Sequence, residues 1–408
     1  MIPDPSWKDD LGASEVFDLD VEVNLTRVEG QVFDSPTLAP VVASLMVCLA
    51  LLQANVAQPR AVPEAELRDW GAKIRDPSVP LVERAHAMWG LRHAREALAT
   101  RLLAAYVTDV VPPSPAANAL LQHEAAYCLG QRGDVWAVAP LEAALRDTRH
   151  EAIVRHEAAE ALAALASAPG ANISHIKALL TEFLTSDAVA VAETCEVGLG
   201  RIAWLQQANK TPDPDADRAE AEFPNTVDPS PAFPPGTPRS IADLRAVLLS
   251  PNRPLFERYQ ALFSLRNSAV ASAVGAGGDD HKEAIIEALS ASLAAPGSAL
   301  LRHEVAFILG QLGICRTGPA LIERLEDTQE APMVRHESAM ALGEVAGKAQ
   351  DDDEAAGESS LAKRAREVLL AGCQDPEPLV RDSCALALDM ADYVASNERF
   401  QFAEVPKC

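Results

Sequence analysis

The sequence predicts an all-α protein built from repeated helical hairpins. Leu, Ala and Val recur at i, i+3, i+4 and i+7 spacing along most of the chain. Aromatic residues make up only 5% of the 408 residues, and no stretch has the alternating apolar and polar pattern of a strand. Two nested periods indicate that a short unit is repeated within each half of the chain, and that the second half is a copy of the first.

Histidines mark both periods. The short period separates His123 from His156, and the same spacing separates His303 from His336. The long period separates His123 from His303 and, equally, His156 from His336. A short repeat of about 33 residues holds two helices and buries its apolar face against its neighbours.

Weaker copies of the unit complete each half. Segment 80–93 resembles segment 254–267, and segment 192–202 loosely resembles segment 381–391. Each half then has four units, and we predict a HEAT-like α-solenoid of eight helical hairpins in two pseudo-symmetric halves of four.

We expect five parts along the chain. Residues 1–65 have no counterpart elsewhere and form an N-terminal extension of uncertain order. The two halves span residues 66–205 and 241–395, and residues 396–408 form a tail. Between the halves, residues 206–240 hold eight prolines and little apolar periodicity, which is typical of an extended linker that lets the halves face each other.

Composition restricts the class of partner. The net charge of −24 disfavours a nucleic-acid surface and favours a basic protein. The apolar run 40–52 is shorter than the roughly 20 residues that cross a bilayer, so we expect a buried helix and no membrane partner. Seven scattered cysteines form no disulfide framework or zinc ribbon. We therefore expect a cytoplasmic monomer, with the nucleus as an alternative compartment.

Four His-Glu pairs occupy equivalent places in the inner repeats. The pairs are His123-Glu124, His156-Glu157, His303-Glu304 and His336-Glu337. Each falls near the start of the second helix of its hairpin. We align the end repeats with Arg84, Glu193, Arg258 and Asp382 at the histidine position. A further pair, His150-Glu151, has no counterpart one long period later, and we expect it in a surface loop.

The repeated pairs favour a dinuclear metal site. Adjacent helical residues diverge by about 100°, so one pair cannot easily chelate a single ion but can serve two. Imidazole and carboxylate without thiolate suit iron, manganese or zinc, and metal pairs about 3.5 to 4 Å apart are usual in such clusters. The alternatives are solvated ion pairs on a non-catalytic protein-binding scaffold, or a dinuclear metallohydrolase.

The same residues resemble a known family. The segments LLQHEAAYCLGQ, VRHEAAEAL, VDPSPAFPP, LLRHEVAFILGQ and VRHESAMALGE are similar to those of the deoxyhypusine hydroxylases, or deoxyhypusine monooxygenases. The resemblance covers about Leu67 to Tyr393. It implies a non-heme di-iron (Fe²⁺) enzyme that uses dioxygen to hydroxylate the deoxyhypusine side chain of a translation factor, the final step of hypusine formation.

The resemblance also implies roles for individual residues. The iron ligands would be His123, His156, His303 and His336 with Glu124 and Glu304, each ion taking two histidines from one half and a glutamate from the other. Glu157 and Glu337 would lie outside the ligand set or receive the substrate's amines. The residues alone leave open which two glutamates coordinate.

Overall fold

The computed structural model describes residues 61–208, 226–234, 239–273, 279–351 and 360–396. All regular elements within these residues are helical, so the prediction of an all-α, HEAT-like fold is confirmed. None of the described helices is long and apolar enough to cross a membrane. The predicted helix in the run 40–52, nearly all of the N-terminal extension and the tail lie outside the described residues.

Consecutive helices contact each other in pairs. The first half contains α1 (Glu64–Arg75), α2 (Leu81–His93), α3 (Ala97–Asp109), α4 (Ala119–Arg132), α5 (Val138–Arg146), α6 (Ala152–Leu165), α7 (Ile173–Glu182) and α8 (Val189–Ala208). The second half contains α9 (Ile241–Leu249), α10 (Leu255–Ala273), α11 (Asp279–Leu293), α12 (Ala299–Leu312), α13 (Gly318–Glu326), α14 (Pro332–Asp351), α15 (Ser360–Gly372) and α16 (Pro378–Ser396). Short 3₁₀ turns lie at Val135–Ala137, Phe183–Thr185 and Cys315–Thr317.

Helices α4 and α12 begin and end in the same way. Asn118 caps α4 by accepting a hydrogen bond from the Leu121 amide at 3.0 Å, and Ser298 caps α12 through the equivalent bond. Both helices end at a glycine with positive φ, 67° at Gly133 and 57° at Gly313. The local sequence therefore fixes the same start for the two helices that carry His123 and His303.

Buried arginines tie the two helices of four pairs together. Arg84, Arg155, Arg258 and Arg335 each donate from Nε to the carbonyl oxygen ten residues earlier, at 2.9 to 3.2 Å. That carbonyl lies in the last turn of the preceding helix, where backbone acceptors lack partners within the helix. The bond fixes the register of the second helix against the first.

This register corrects part of the repeat alignment. Arg84 and Arg258 make the same bond as Arg155, so they match the residue before the histidine. Our alignment of these two arginines with the histidine position was wrong by one residue. Ala85 and Tyr259 occupy that position, and both are buried.

The two halves contact each other at both ends. Helix α8 contacts α10 and α12, and α16 contacts α2 and α4. At one end the Asn118 amide donates to Asp382 at 2.7 Å, and at the other the Ser298 hydroxyl donates to Glu193 at 2.7 Å. Because Asn118 and Ser298 are one long period apart and both cap a site helix, the two bonds repeat the pseudo-twofold symmetry of the sequence.

Residues 226–234 of the Pro-rich segment lie against both halves, and we call them the strap. In the first half, Gln131 accepts a hydrogen bond from the Val227 amide at 2.7 Å and donates to its carbonyl at 3.3 Å. In the second half, Arg266 pairs with Asp228 at 2.6 Å although only 2% of the arginine side chain is exposed. The strap thus connects the halves beside their shared cavity.

His150 differs from its predicted position. It is only 4% exposed, and its backbone amide donates to the Asp147 carbonyl at 3.1 Å. The expectation of a surface pair is therefore wrong for the histidine. Glu151, the next residue, is exposed.

The close approach of α14 to α16 gives a test of the packing. A Cβ added to Gly343 would lie 2.6 Å from the Ala387 carbonyl oxygen, which is backbone and cannot easily move. We expect Gly343→Ala to lower the free energy of unfolding by about 1 to 3 kcal/mol, measured by chemical denaturation. Without the clash, alanine would raise the stability of a helix by up to about 1 kcal/mol. The sign of the change in the free energy of unfolding therefore shows whether the clash exists. The exposed Lys363→Ala serves as a control, with a change within about 0.5 kcal/mol.

Candidate metal centre

Four imidazoles from four helices meet between the halves. His123 on α4 and His156 on α6 come from the first half, and His303 on α12 and His336 on α14 come from the second. The His123 ring centroid lies 5.4 Å from that of His156, 5.9 Å from that of His303 and 5.2 Å from that of His336. All four side chains are buried. The structure therefore brings together the histidines that the repeats marked.

Most ring nitrogens of this cluster have no hydrogen-bond partner among the described residues, although carboxylate oxygens lie 3.3 to 3.6 Å from four of them. Both nitrogens of His123 and of His303 lack one, as do Nε2 of His156 and Nε2 of His336. A buried polar atom without a partner is costly, and metal coordination is one way to satisfy it. The residues present therefore fit a metal site.

Two sets of potential ligand atoms lie within coordination range. One comprises His123, His303 and His336, and the other His123, His156 and Glu157, with the atoms of each set within 4.8 Å of one another. His123 belongs to both sets, and the first set spans the two halves. This arrangement suits two neighbouring ions rather than one.

Hydroxyl groups fix the tautomers of two histidines. The Thr194 hydroxyl donates to the Ala190 carbonyl at 2.8 Å, so its oxygen accepts from Nδ1 of His156 at 3.4 Å. The Ser383 hydroxyl donates to a backbone carbonyl at 2.7 Å and accepts from Nδ1 of His336 at 3.0 Å. Each histidine then carries its hydrogen on Nδ1, and the Nε2 lone pair faces the site, as a metal ligand requires.

The glutamates are not equivalent in their contacts. Glu157 lies 3.3 Å from Nε2 of His123, and Glu337 lies 3.4 Å from Nε2 of His336. Glu124 lies 3.4 Å from Nδ1 of His123. Glu304 is 4% exposed and its carboxylate interacts with those of the other half, Glu157 among them.

The positions of these glutamates agree only in part with the ligand set that the family resemblance implies. Glu337 likewise interacts with Glu124, so carboxylates of the two halves lie near enough to repel each other. However, it is Glu157, and neither Glu124 nor Glu304, that falls within a compact ligand set. The metal content of single variants distinguishes these assignments.

Without metal, the site distributes protons unevenly. Burial lowers the pKa of His123, but its pairing with Glu124 and Glu157 outweighs this and raises it to about 10. Burial, followed by repulsion from His123, lowers the pKa of His303 to about 3 and that of His156 well below its usual range. Burial and the nearby Glu124 raise the pKa of Glu337 to about 8. One proton on His123 thus keeps its neighbours neutral, a role that a metal cation would take over.

The cluster lies at the wall of a cavity of about 1010 Å³ between the halves. Its carboxylates are Glu124, Glu157, Glu160, Asp228, Glu304, Glu337, Glu344 and Asp389, and Arg92 is the one Lys or Arg among the described lining residues. Aromatic and thioether side chains, including Trp89, Tyr127, Phe307 and Met340, cover other parts of the wall. The cavity therefore suits a long, cationic, partly aliphatic ligand.

Several residues of the site escaped the sequence analysis. Thr194 and Ser383 follow Glu193 and Asp382 in the end repeats, and the loose similarity of these two segments was the signal available for them. Glu160 follows Glu157 by one helical turn, so its position toward the same side could have been inferred from helix geometry. Asp228 lies outside the repeats, so the repeat pattern could not identify it.

The hydroxyl groups make a first prediction. Thr194→Val and Ser383→Ala remove the acceptor that orients an imidazole, and we expect each to weaken metal affinity by about 10- to 100-fold. The measurement is a competition titration of the purified protein with a metal chelator. Thr181→Val is the matched control, because the Thr181 hydroxyl also donates to a carbonyl four residues earlier but is exposed and away from the site. Unchanged affinity in both site variants would contradict the proposed orientation.

The protonation pattern makes a second prediction. In the metal-free folded protein the pKa of His123 is about 10 against an ordinary 6.5, and that of Glu337 is about 8 against 4.5. A raised folded pKa stabilises at low pH, and this contribution is lost as pH rises through the folded value. From pH 7 to 8, where the unfolded histidines with lowered folded pKa values are already mostly neutral, we expect the free energy of unfolding to fall, by up to about 1.4 kcal/mol per pH unit for each group. Glu337→Gln should show a shallower decline in chemical denaturation, and an identical or steeper slope would refute the assignment.

The comparisons with known proteins identify a type of repeat and a family of enzymes. A family model described as PBS lyase HEAT-like repeat matches residues 121–147. Deoxyhypusine hydroxylase of Mus musculus is 38% identical over 344 residues, which cover 84% of this chain and 97% of the mouse protein. Deoxyhypusine hydroxylase-B of Oryza sativa is 38% identical over 81% of this chain and 94% of its own length.

A solved structure agrees as well. The structure of human deoxyhypusine hydroxylase in complex with glycerol superimposes with a TM-score of 0.64 at 36% identity, covering 81% of this chain and 97% of the human chain. The similarity thus extends over nearly the full length of the relatives and includes both halves. The chain belongs to the deoxyhypusine hydroxylase family of enzymes.

Proposed function

We propose that this chain hydroxylates the deoxyhypusine side chain of a translation factor, with two Fe²⁺ ions as cofactor and dioxygen as co-substrate. The product is hypusine. The observation that carries the proposal is the convergence of four buried imidazoles, with unpartnered ring nitrogens, from both halves of the repeat array onto one acidic cavity. The family membership supports the choice of reaction.

His123, His156, His303 and His336 would hold the ions together with Glu124 and Glu304. When bound, iron supplies the redox chemistry that oxidation of an unactivated C–H bond needs, which no side chain provides. The hydroxyls of Thr194 and Ser383 keep two of the imidazoles in the tautomer that presents Nε2. Burial of the four rings keeps bulk water away from the ligand atoms.

Glu157 and Glu337 would bind the substrate. A deoxyhypusine side chain is a lysine extended by an aminobutyl group, so it carries two cationic nitrogens on an aliphatic chain. Glu157 and Glu337 lie next to the histidines and can receive these amines by charge-assisted hydrogen bonds. Aromatic side chains such as Tyr127 and Phe307, whose ring centroids lie 6.2 Å apart across the halves, can contact the aliphatic carbons.

The proposal is tested by metal analysis combined with an activity assay. The protein is purified, its iron is quantified, and conversion of the deoxyhypusine-containing factor to the hypusine form is followed by mass spectrometry with and without dioxygen. We expect two iron ions per chain and a strict requirement for dioxygen. Cleavage of the side chain with zinc alone and without dioxygen would indicate hydrolytic chemistry instead, because hydrolysis cannot oxidise a C–H bond. A folded protein that takes up no iron would exclude the proposal.

Single variants separate the roles of the site residues. We expect His123→Ala and His303→Ala to lose iron, because each removes a buried ligand that faces both halves. Glu157→Ala and Glu337→Ala should retain some iron and mainly impair substrate turnover. His175→Ala, which removes an exposed histidine outside the site, is the control and should keep its iron and activity. Equal loss of iron in all four site variants would show that Glu157 and Glu337 are ligands.

A further inference from the structure

We propose that Glu160 binds the terminal ammonium group of the substrate side chain and thereby sets the direction in which that chain lies in the cavity. The inference rests on the proposed function and extends it to a residue outside the four His-Glu pairs. It makes Glu160 a substrate-binding residue that determines specificity.

The metal ligands alone do not define a direction. The His-Glu pairs of the two halves are related by the long period of the sequence, so an unsymmetrical substrate would meet similar groups from either side. The cavity wall breaks this symmetry at position 160, where the first half has glutamate and the second half has Met340. The substrate needs a single orientation if only one carbon is to be hydroxylated.

The Glu160 side of the cavity is closed. Strap residues Thr226 to Pro229 line the wall there, and Asp228 is already neutralised by Arg266. Among the described residues, the space behind Glu160 and Pro229 is a small cavity of about 10 Å³, room for about one water molecule. A chain tethered to a folded protein cannot enter from this side.

The cavity reaches partly exposed residues at its α2 and α16 end. His86 on α2 and Asp389 on α16 form a pair at 2.7 Å across the two halves, with 40% and 33% of their side chains exposed. Both residues line the same cavity as Glu160. A lysine-derived side chain that enters the cavity beside this pair would direct its free end toward the strap.

Glu160 is suited to receive a cation at that end. It makes no hydrogen bond or ion pair with the described residues, and it interacts electrostatically with Glu157 first, then with His123, Asp228 and Arg201. The nearby Glu304 is buried and likewise without a hydrogen-bond partner among those residues. Glu160 follows His156 by four residues, about 6 Å along the helix axis, an offset comparable with the length of an aminobutyl arm.

The test compares two amines that differ only at the far end. Binding of N-butyl-1,4-diaminobutane and of dibutylamine, which lacks the terminal amine, is measured by calorimetry on the iron-loaded full-length protein. We expect the wild-type protein to prefer the diamine, and Glu160→Gln to reduce its affinity for the diamine by about tenfold or more, since one charge-assisted hydrogen bond is lost. Binding of dibutylamine should not change. Glu344→Gln, which neutralises a carboxylate of the same cavity on the second half, is the matched control and should keep the preference.

Kinetics with the deoxyhypusine protein provide the second measurement. Glu160→Gln should raise KM with little change in kcat and no change in iron content, a split that a general loss of structure would not produce. Equal diamine preference in wild type and Glu160→Gln, or its loss in Glu344→Gln alone, would overturn the inference. Because calorimetry needs no turnover, these outcomes are distinct from a wild-type protein that fails to form hypusine, which would defeat the proposed function itself.

Discussion

The structure depends on one constraint, namely that two copies of a stacked-helix array must hold four imidazoles within a few ångströms of one another. Burial of these rings with most of their nitrogens unpartnered is unfavourable unless something satisfies them. The same cavity concentrates carboxylates, whose mutual repulsion and burial shift protons onto groups such as Glu337. Bound cations would relieve both penalties at once. We therefore infer that this cluster is suited to hold metal.

The rest of the fold supplies the precision that this constraint needs. Arginines one residue before the histidine position fix the register of the second helix against the first, as Arg155 and Arg335 show beside His156 and His336. The caps Asn118 and Ser298 begin the site helices and also hydrogen-bond to the opposite half. One residue thus sets both the start of a helix and the distance between the halves. Contacts at both ends of the array, together with the strap, keep the two halves facing each other.

Much of the fold and the core of the site could be predicted from sequence, because a duplicated repeat makes equivalent positions visible without any structure. The spacing of His123, His156, His303 and His336 was sufficient to place all four at one site. The repeat pattern could not identify Thr194 or Ser383, because their contacts with the histidines join residues in neighbouring repeats whose similarity is weak. It also misplaced Arg84 and Arg258 by one position. A loose repeat pattern accepts either arginine or histidine at the marked position, so it cannot detect a shift of one residue. The Glu160 and Met340 difference is visible one long period apart in the sequence, but the shared cavity that both residues line and its closure by the strap depend on how the halves face each other, which periodicity does not encode.

The most direct test of the central claim is a crystal structure of the iron-loaded protein with anomalous diffraction data collected at the iron absorption edge. We predict two anomalous peaks about 3.5 to 4 Å apart, surrounded by the imidazoles of His123, His156, His303 and His336. A single peak, or peaks bound by residues of one half only, would contradict the shared centre.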